Sequence, residues 1–482
     1  MAMKRGRPSV IGFLASLLVL FVACGAAGPP TAPVARAKLH PAVAKQIQTA
    51  RNGRVSVIVT KNGGASGVEA AAEALGARIT ARWTIINGFA ADLPARSAAA
   101  LASLPGVRAV LPNSPVAGTG SSAAGSAAAL SSSYVYAVQA EKVWAAGYQG
   151  DGVSIAIVDS GLHFAANSDF SSRILNNVSF NPEARYSVDK FGHGTHVGAI
   201  AGGDGSNSSG KWLGIAPRVN LLNVKFSDDY GNATEKDLVS ALQWVYDNRI
   251  TYNIRVVNIS AQVGARMSYK ESPTAAAVEQ LWFSGVVVVA SAGNRGTEDC
   301  SVCYPPGADP FIITVGAVDD RGTAELSDDL LAAWSSRGST LDGHAKPDVM
   351  APGAHVVAYM PSGTLRSEHP DNVVDDHYFR MGGTSMASPV VAGGIALLLQ
   401  ARPALTPDQV KWLVMNTTRS YEQQPSGSAG ILDLYRALAY DQPIGEANQG
   451  LEPSPLLDPG TNTITYESAM WSNAMWSNSV DY

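Results

Sequence analysis

The chain has 482 residues, 46% of them hydrophobic and only 16% charged, with 47 glycines. That composition suits an exported globular enzyme with a large core and many turns, and points away from a disordered or nucleic-acid-binding chain. The net charge of -5 hides an asymmetry: residues 1–115 carry 13 basic and 3 acidic side chains, a net +10, while 116–482 carry 22 and 37, a net -15. Either these are two solvated surfaces, or the front part docks on the rest, helped by opposite charge.

Residues 1–28 read as a signal peptide. Lys4, Arg5 and Arg7 precede the apolar stretch Val10 to Ala23, which is short for a membrane span. Phe21-Val22-Ala23-Cys24 resembles a bacterial lipobox with Phe where Leu is usual. Either the chain is released as a secreted protein, the preferred expectation, or a lipidated Cys24 anchors it at the cell surface. Residues 38–115 read as a small α+β unit. A strand is expected over Arg54–Thr60, a helix over Val68–Leu75, and a strand pair over Trp83–Leu93 turned at Asn87-Gly88. A helix over Ala95–Leu104 and a strand over Val107–Leu111 follow. Residues 116–133, almost all Gly, Ser and Ala from Gly118 on, cannot build a core and read as a flexible linker open to cutting.

From Tyr134 to Tyr440, β-branched runs alternate with helical stretches. The runs are Val153–Val158, Val219–Lys225, Val256–Ile259, Val286–Ala290 and Ile312–Val315. The helical stretches are His193–Ala201, Lys236–Asn248 and Thr274–Ser284. This alternation predicts an α/β fold with a doubly wound parallel sheet, whose ligands bind beyond the carboxyl ends of the strands. Cys300 and Cys303 lie in one loop. A zinc site needs more ligands and a redox pair a different context, so a local disulfide is expected in an exported protein. Residues 441–482 change character, rich in Pro, Asn and Ser. They end in Ala469-Met-Trp-Ser-Asn473 followed by the same five residues at 474–478. This tail either packs on the preceding domain, docks a partner, or stays solvated.

The chemistry centres on Gly383-Thr384-Ser385-Met386-Ala387-Ser388-Pro389, followed by the uncharged run Val390–Leu399. Ser385 stands at the mouth of a buried helix, with Pro389 expected in its first turn. Backbone N–H groups and the positive dipole end there suit a nucleophile whose product is an oxyanion. A serine needs a base and the base an orienting acid. Asp159 ends the run Val153–Val158, and His193 opens Gly192-His193-Gly194-Thr195-His196. Asn294, after Ala290-Ser291-Ala292-Gly293, offers a side-chain donor to a developing negative oxygen. Singly, each has a plainer reading: a helix cap, a turn residue, a surface histidine with His196 as good a candidate, an ordinary turn.

Together these four segments resemble the subtilisin-like serine peptidases, over roughly Tyr134 to Tyr440. Leu213-Gly-Ile-Ala-Pro217, Trp334-Ser-Ser-Arg-Gly338 and Lys346-Pro-Asp-Val-Met-Ala-Pro-Gly353 match as well. The resemblance implies Asp159, His193 and Ser385 as catalytic residues and Asn294 in the oxyanion hole, with His193 preferred over His196. It implies protein or peptide substrates, action as a monomer and no nucleic-acid partner. The substrate-binding walls would be Ser260, Ala261 and Gln262 on one side and Ser291, Ala292 and Gly293 on the other. The family usually has Ser-Leu-Gly at the first, so Ala261 and Gln262 put pocket depth in question. Ile86-Asn-Gly-Phe-Ala90 and Leu104-Pro-Gly-Val107 resemble the family's inhibitory propeptide, an intramolecular chaperone and inhibitor that the enzyme cuts off. Many relatives hold structural calcium. The corresponding loop here, Gly202–Gly210, has one acid, so none is expected there; other calcium sites stay open, and catalysis needs no metal or other cofactor. Two rivals stand beside this reading: a binding protein on a peptidase scaffold, and an acyl transferase using the same acyl-enzyme.

Overall fold

The computed structural model describes residues 38–50, 53–118, 120–121 and 132–457. The expected signal segment with Cys24, most of the Gly/Ser/Ala linker and the Trp-containing repeat lie outside the described residues.

The front unit is an antiparallel sheet. Its strands are Arg54–Lys61 (β1), Arg78–Trp83 (β2), Gly88–Pro94 (β3) and Val107–Pro112 (β4), in the order β2-β3-β1-β4. Helices Pro41–Ala50 (α1), Val68–Ala74 (α2) and Ala98–Ser103 (α3) complete it. The period-two geometry of a strand splits β1 between two cores. Val55, Val57 and Val59 pack with Phe89, Leu93, Leu101 and Val110 inside the unit. Ile58 points the other way and joins Trp83, Ile85, Ile86 and Leu111 in the core of the larger domain. The turn expected at Asn87-Gly88 lies earlier, over Thr84–Asn87, and pairs Trp83 with Gly88. The physical reason is outside the unit: the N–H groups of Thr84 and Ile85 both donate to Gln243 Oε1, at 2.8 Å each, and not to a partner strand.

In the larger domain we label Ser154–Asp159 (β6), Ile174–Ser179 (β7), Asn220–Lys225 (β8), Ile254–Ile259 (β9), Val287–Ser291 (β11), Ile313–Asp319 (β12) and Val349–Pro352 (β13). The strand Pro115–Gly118 is β5 and Ala261–Val263 is β10. The central sheet has eight strands in the order β12-β11-β9-β6-β8-β7, with β13 parallel beside β12. All its pairings are parallel except that of the short strand Leu330–Leu331 with β12. β6, β9 and β11 are buried along their whole length, which is why they read as runs rich in β-branched residues. β7 is an edge strand with alternating exposure, and its Ile-Leu-Asn-Asn-Val-Ser sequence gave little signal. Helices His193–Gly202 (α4), Glu235–Asn248 (α5), Pro273–Phe283 (α6) and Thr384–Ala401 (α7) pack against the sheet.

α7 is the axis of the domain. Every residue from Thr384 to Leu399 is buried. The helix is long and apolar enough to cross a membrane, but 89% of that window is buried inside the fold. It starts at Thr384, so Pro389 is its sixth residue and lies beyond the first turn where it was expected. A proline there removes the bond from residue 389 to the carbonyl of Ser385. Ser260 Oγ donates to that carbonyl instead, at 2.9 Å.

Two boundaries differ from expectation. The linker drawn from 116 begins inside a strand: Pro115–Gly118 pairs with Ala233–Thr234 on one side and with β10 on the other. Such pairing uses backbone groups alone, so a Gly/Ala sequence gives no sign of it. The tail drawn from 441 is packed through Leu457. Leu456 enters the core, Ser454 N donates to buried Glu279 (2.7 Å) and Tyr269 OH to Glu452 O (2.8 Å).

Candidate active site

Asp159 is the last residue of β6, at the carboxyl end of the sheet, and His193 is the first of α4. Both are buried, and His193 Nδ1 lies 2.7 Å from Asp159 Oδ1. The close approach depends on Gly194, where an added Cβ would collide with Gly161 O and Asp159 Cβ. Asp189, which the sequence reading missed, fixes the start of α4. Its carboxylate accepts from the N–H of Gly192 (2.8 Å) and Thr195 (2.9 Å), from Thr195 Oγ1 (2.7 Å) and from Ser160 Oγ (3.0 Å). The available signal was an acid four residues before the histidine, where a helix N-terminus favours negative charge.

Burial opposes a charge on His193, but the carboxylate of Asp159, its hydrogen bond and the nearby Asp189 outweigh it and raise the imidazole above its ordinary range. His196 is the opposite case. It is wholly buried, its Nε2 faces Phe379 O at 3.0 Å, and burial pushes its pKa down to about 3. Of the two histidines, only His193 is held by Asp159.

Ser385 is the second residue of α7 and is fully buried in this state. Its hydroxyl donates to Ser260 O at 3.0 Å, and His193 Nε2 has no hydrogen-bond partner among the described residues. The two side chains flank one segment of chain. Gly118 lies against the imidazole, where an added Cβ would sit 3.4 Å from Cε1 and Nε2. Two residues on, Gly120 pairs with Gly383, two residues before Ser385. Asn294 is aimed by α7: its Oδ1 accepts from Thr384 N (2.9 Å) and Thr384 Oγ1 (3.0 Å), so its amide turns the NH₂ away from the helix. Those contacts fix the donor beside the first N–H groups of α7.

The remaining expected residues divide. Ser260 is spent on structure, with its Oγ bonded to Ser385 O and 2.8 Å from Ser388 Oγ. Ala261 and Gln262 form β10, and in antiparallel register they face Gly118 and Ala117. Ser291 ends β11 and pairs with Val315 inside the sheet, whereas Ala292 and Gly293 meet the Gln262 side chain. Cys300 and Cys303 are joined in a disulfide, in a loop whose Cys303 O accepts from Met267 N and whose neighbour Pro305 O accepts from Val263 N. The loop therefore braces β10. Among the described residues no group of three or more His, Cys, Asp or Glu side chains is placed to hold a metal ion. Asp204, the acid of the Gly202–Gly210 loop, pairs with Arg173 at 3.3 Å.

Comparison with known proteins places this arrangement. The subtilase family model of peptidases matches residues 150–437. Serine protease AprX of Bacillus subtilis is 36% identical over 286 residues, 57% of this chain and 63% of AprX. Subtilisin DY of Bacillus licheniformis is 36% identical over 303 residues, 62% of this chain and 96% of that protein. In structure, fervidolysin of Fervidobacterium pennivorans, a keratinolytic enzyme related to subtilisin, superposes with a TM-score of 0.63 at 21% identity, covering 81% of this chain and 62% of fervidolysin. That likeness speaks for the fold alone, while the family model spans more than half of the sequence: the chain belongs to the subtilase family.

Proposed function

We propose that the protein is an exported serine endopeptidase that matures by cutting off its own front unit. Ser385 Oγ attacks a peptide carbonyl and forms the acyl-enzyme. His193 takes the hydroxyl proton and passes it to the leaving amine; water then enters with His193 again as base and releases the acid. Asp159 holds the imidazole tautomer and stabilises the imidazolium. The Asn294 side chain and the backbone N–H of Ser385 bind the tetrahedral oxyanion. Protein groups alone supply each of these roles. For this step the hydroxyl must leave Ser260 O and turn to His193.

One observation carries this reading. β5 lies across the cleft as a peptide substrate would, hydrogen-bonded on both sides and delivering Gly118 to the imidazole. Residues 38–118 are then an inhibitory propeptide, and the self-cleaved bond lies between Gly118 and Ser121. Export rests on the basic and apolar residues of 1–28 and on the family. Action as a monomer belongs to the same reading, and Asp159, His193, Asn294 and Ser385 coming from one chain supports it.

The test is to express the chain with and without Ser385→Ala in the presence of casein. Wild type should shorten itself to a new N-terminus between residues 119 and 121, degrade casein and be blocked by a serine-directed phosphonylating reagent. The variant should stay full-length. A wild type that matures but hydrolyses nothing would favour the binding-scaffold reading instead. Ligation of an added amine in place of hydrolysis would mark an acyl transferase.

A further inference from the structure

Where the reacting carbonyl sits is fixed by Asn294 and the start of α7. The side chain on that same residue must then meet Gly293, the neighbour of Asn294, and the facing strand β10. This gap is closed by Gln262. Its Nε2 donates to Ala292 O at 2.9 Å, and its head group rests on Gly293, where an added Cβ would fall 2.5 Å from Nε2 and 2.6 Å from Oε1. Gln262 is only 6% exposed, so the amide is packed between the two walls and not turned to solvent. Gly293 has φ +102, a conformation strained for any other residue, and its N–H donates to Thr384 Oγ1 at 3.0 Å. That wall cannot retreat without disturbing the oxyanion site. Displacing the glutamine would break a buried hydrogen bond and leave Ala292 O unpaired.

We propose that Gln262 is a specificity-determining residue: its side chain plugs the pocket for the residue that supplies the carbonyl of the cut bond. The enzyme therefore selects small side chains there, such as Gly, Ala, Ser and Thr, and discriminates against Leu, Phe and Tyr. The chain's own residues beside the imidazole and the start of α7 agree, since Ala117, Gly118 and Gly120 are all small. An aromatic ring would need the volume that the amide fills, and overpacking a rigid site is penalised as surely as leaving it empty.

The inference rests on the endopeptidase reading, and the experiment separates the two. Peptides identical except at the residue before the cut, carrying Ala, Thr, Leu or Phe, are compared with the mature enzyme and with Gln262→Ala and Gln262→Gly. Active sites are counted by titration with a phosphonylating reagent, so that a poorly folded variant is not mistaken for a selective one. Wild type should favour Ala and Thr. The ratio of kcat/KM for Phe over Ala should rise at least about tenfold in Gln262→Gly, the scale set by a change of pocket volume, with Gln262→Ala between. A titratable wild type that cuts Phe and Ala peptides equally, or a ratio moved by neither substitution, overturns the plug alone. A wild type that neither titrates nor cleaves overturns the endopeptidase reading and the plug with it.

Discussion

His193 shows how a few neighbours set a working range. A base acts only when neutral, and Asp159 and Asp189 raise its pKa against the pull of burial. Activity should therefore fall as pH drops through a value above the ordinary histidine range. In Asp159→Asn the imidazolium loses its main support, so the acid limb of a kcat/KM profile should move to lower pH. The rate should drop by about 10⁴, the loss typical when a triad carboxylate becomes an amide. An unmoved limb would show that Asp159 is not what raises His193. Asn294→Ala should lower kcat by about 10²–10³ with little change in KM. That magnitude is the one established for the same kind of donor in a subtilisin, not one derived from these distances.

The helix α7 carries a proline that costs a backbone bond, and Ser260, between β9 and β10, makes it good. In the inactive Ser385→Ala chain, removing the Ser260 hydroxyl should destabilise by about 1–3 kcal/mol, because the buried carbonyl of residue 385 loses that donor. Adding Pro389→Ala restores an N–H at the right place, so the cost of Ser260→Ala should shrink in that background. A double-mutant cycle by urea denaturation measures it, and additive costs would refute the exchange. Such compensations explain what could be read in advance. β6, β9 and β11 were legible because a strand buried on both faces is written largely in β-branched residues, and Asp159, His193, Asn294 and Ser385 because their four segments together resemble one family, although each alone has a plainer reading. Gln262 was visible only as a bulky residue in place of a glycine. Its direction depends on the Ala292 carbonyl, some thirty residues away in sequence. Asp189 left one mark, an acid four residues before His193, whereas β5 acts through its own backbone groups and leaves none in the side-chain pattern.

At the scale of the molecule, the front unit and the catalytic domain share one hydrophobic core and a cap. The first N–H groups of α5 are satisfied from across the boundary, Glu235 N by Ser114 O (2.7 Å) and Lys236 N by Asn113 Oδ1 (2.9 Å). Asn113→Ala should therefore weaken inhibition by the separate front unit by about 0.5–2 kcal/mol, read as a raised inhibition constant. The charge asymmetry of the sequence acts differently. Trp83 Nε1 donates to Ser240 Oγ at 2.9 Å, and the His40 imidazole lies 3.7 Å from the Glu271 carboxylate, though burial lowers the pKa of that histidine and disfavours its charge. Added salt should slow association of the two parts and leave dissociation nearly unchanged. Stopped-flow mixing at two ionic strengths would decide it. β5 is the middle strand of three, and breaking the chain beyond its end leaves every one of its ladder bonds in place. If the chain matures as proposed, nicking and awakening should then run on separate clocks. A freshly made population should lie dormant after it is cut, then ignite once the first liberated molecules digest the wrappers of their neighbours, and a trace of already active enzyme should abolish the delay.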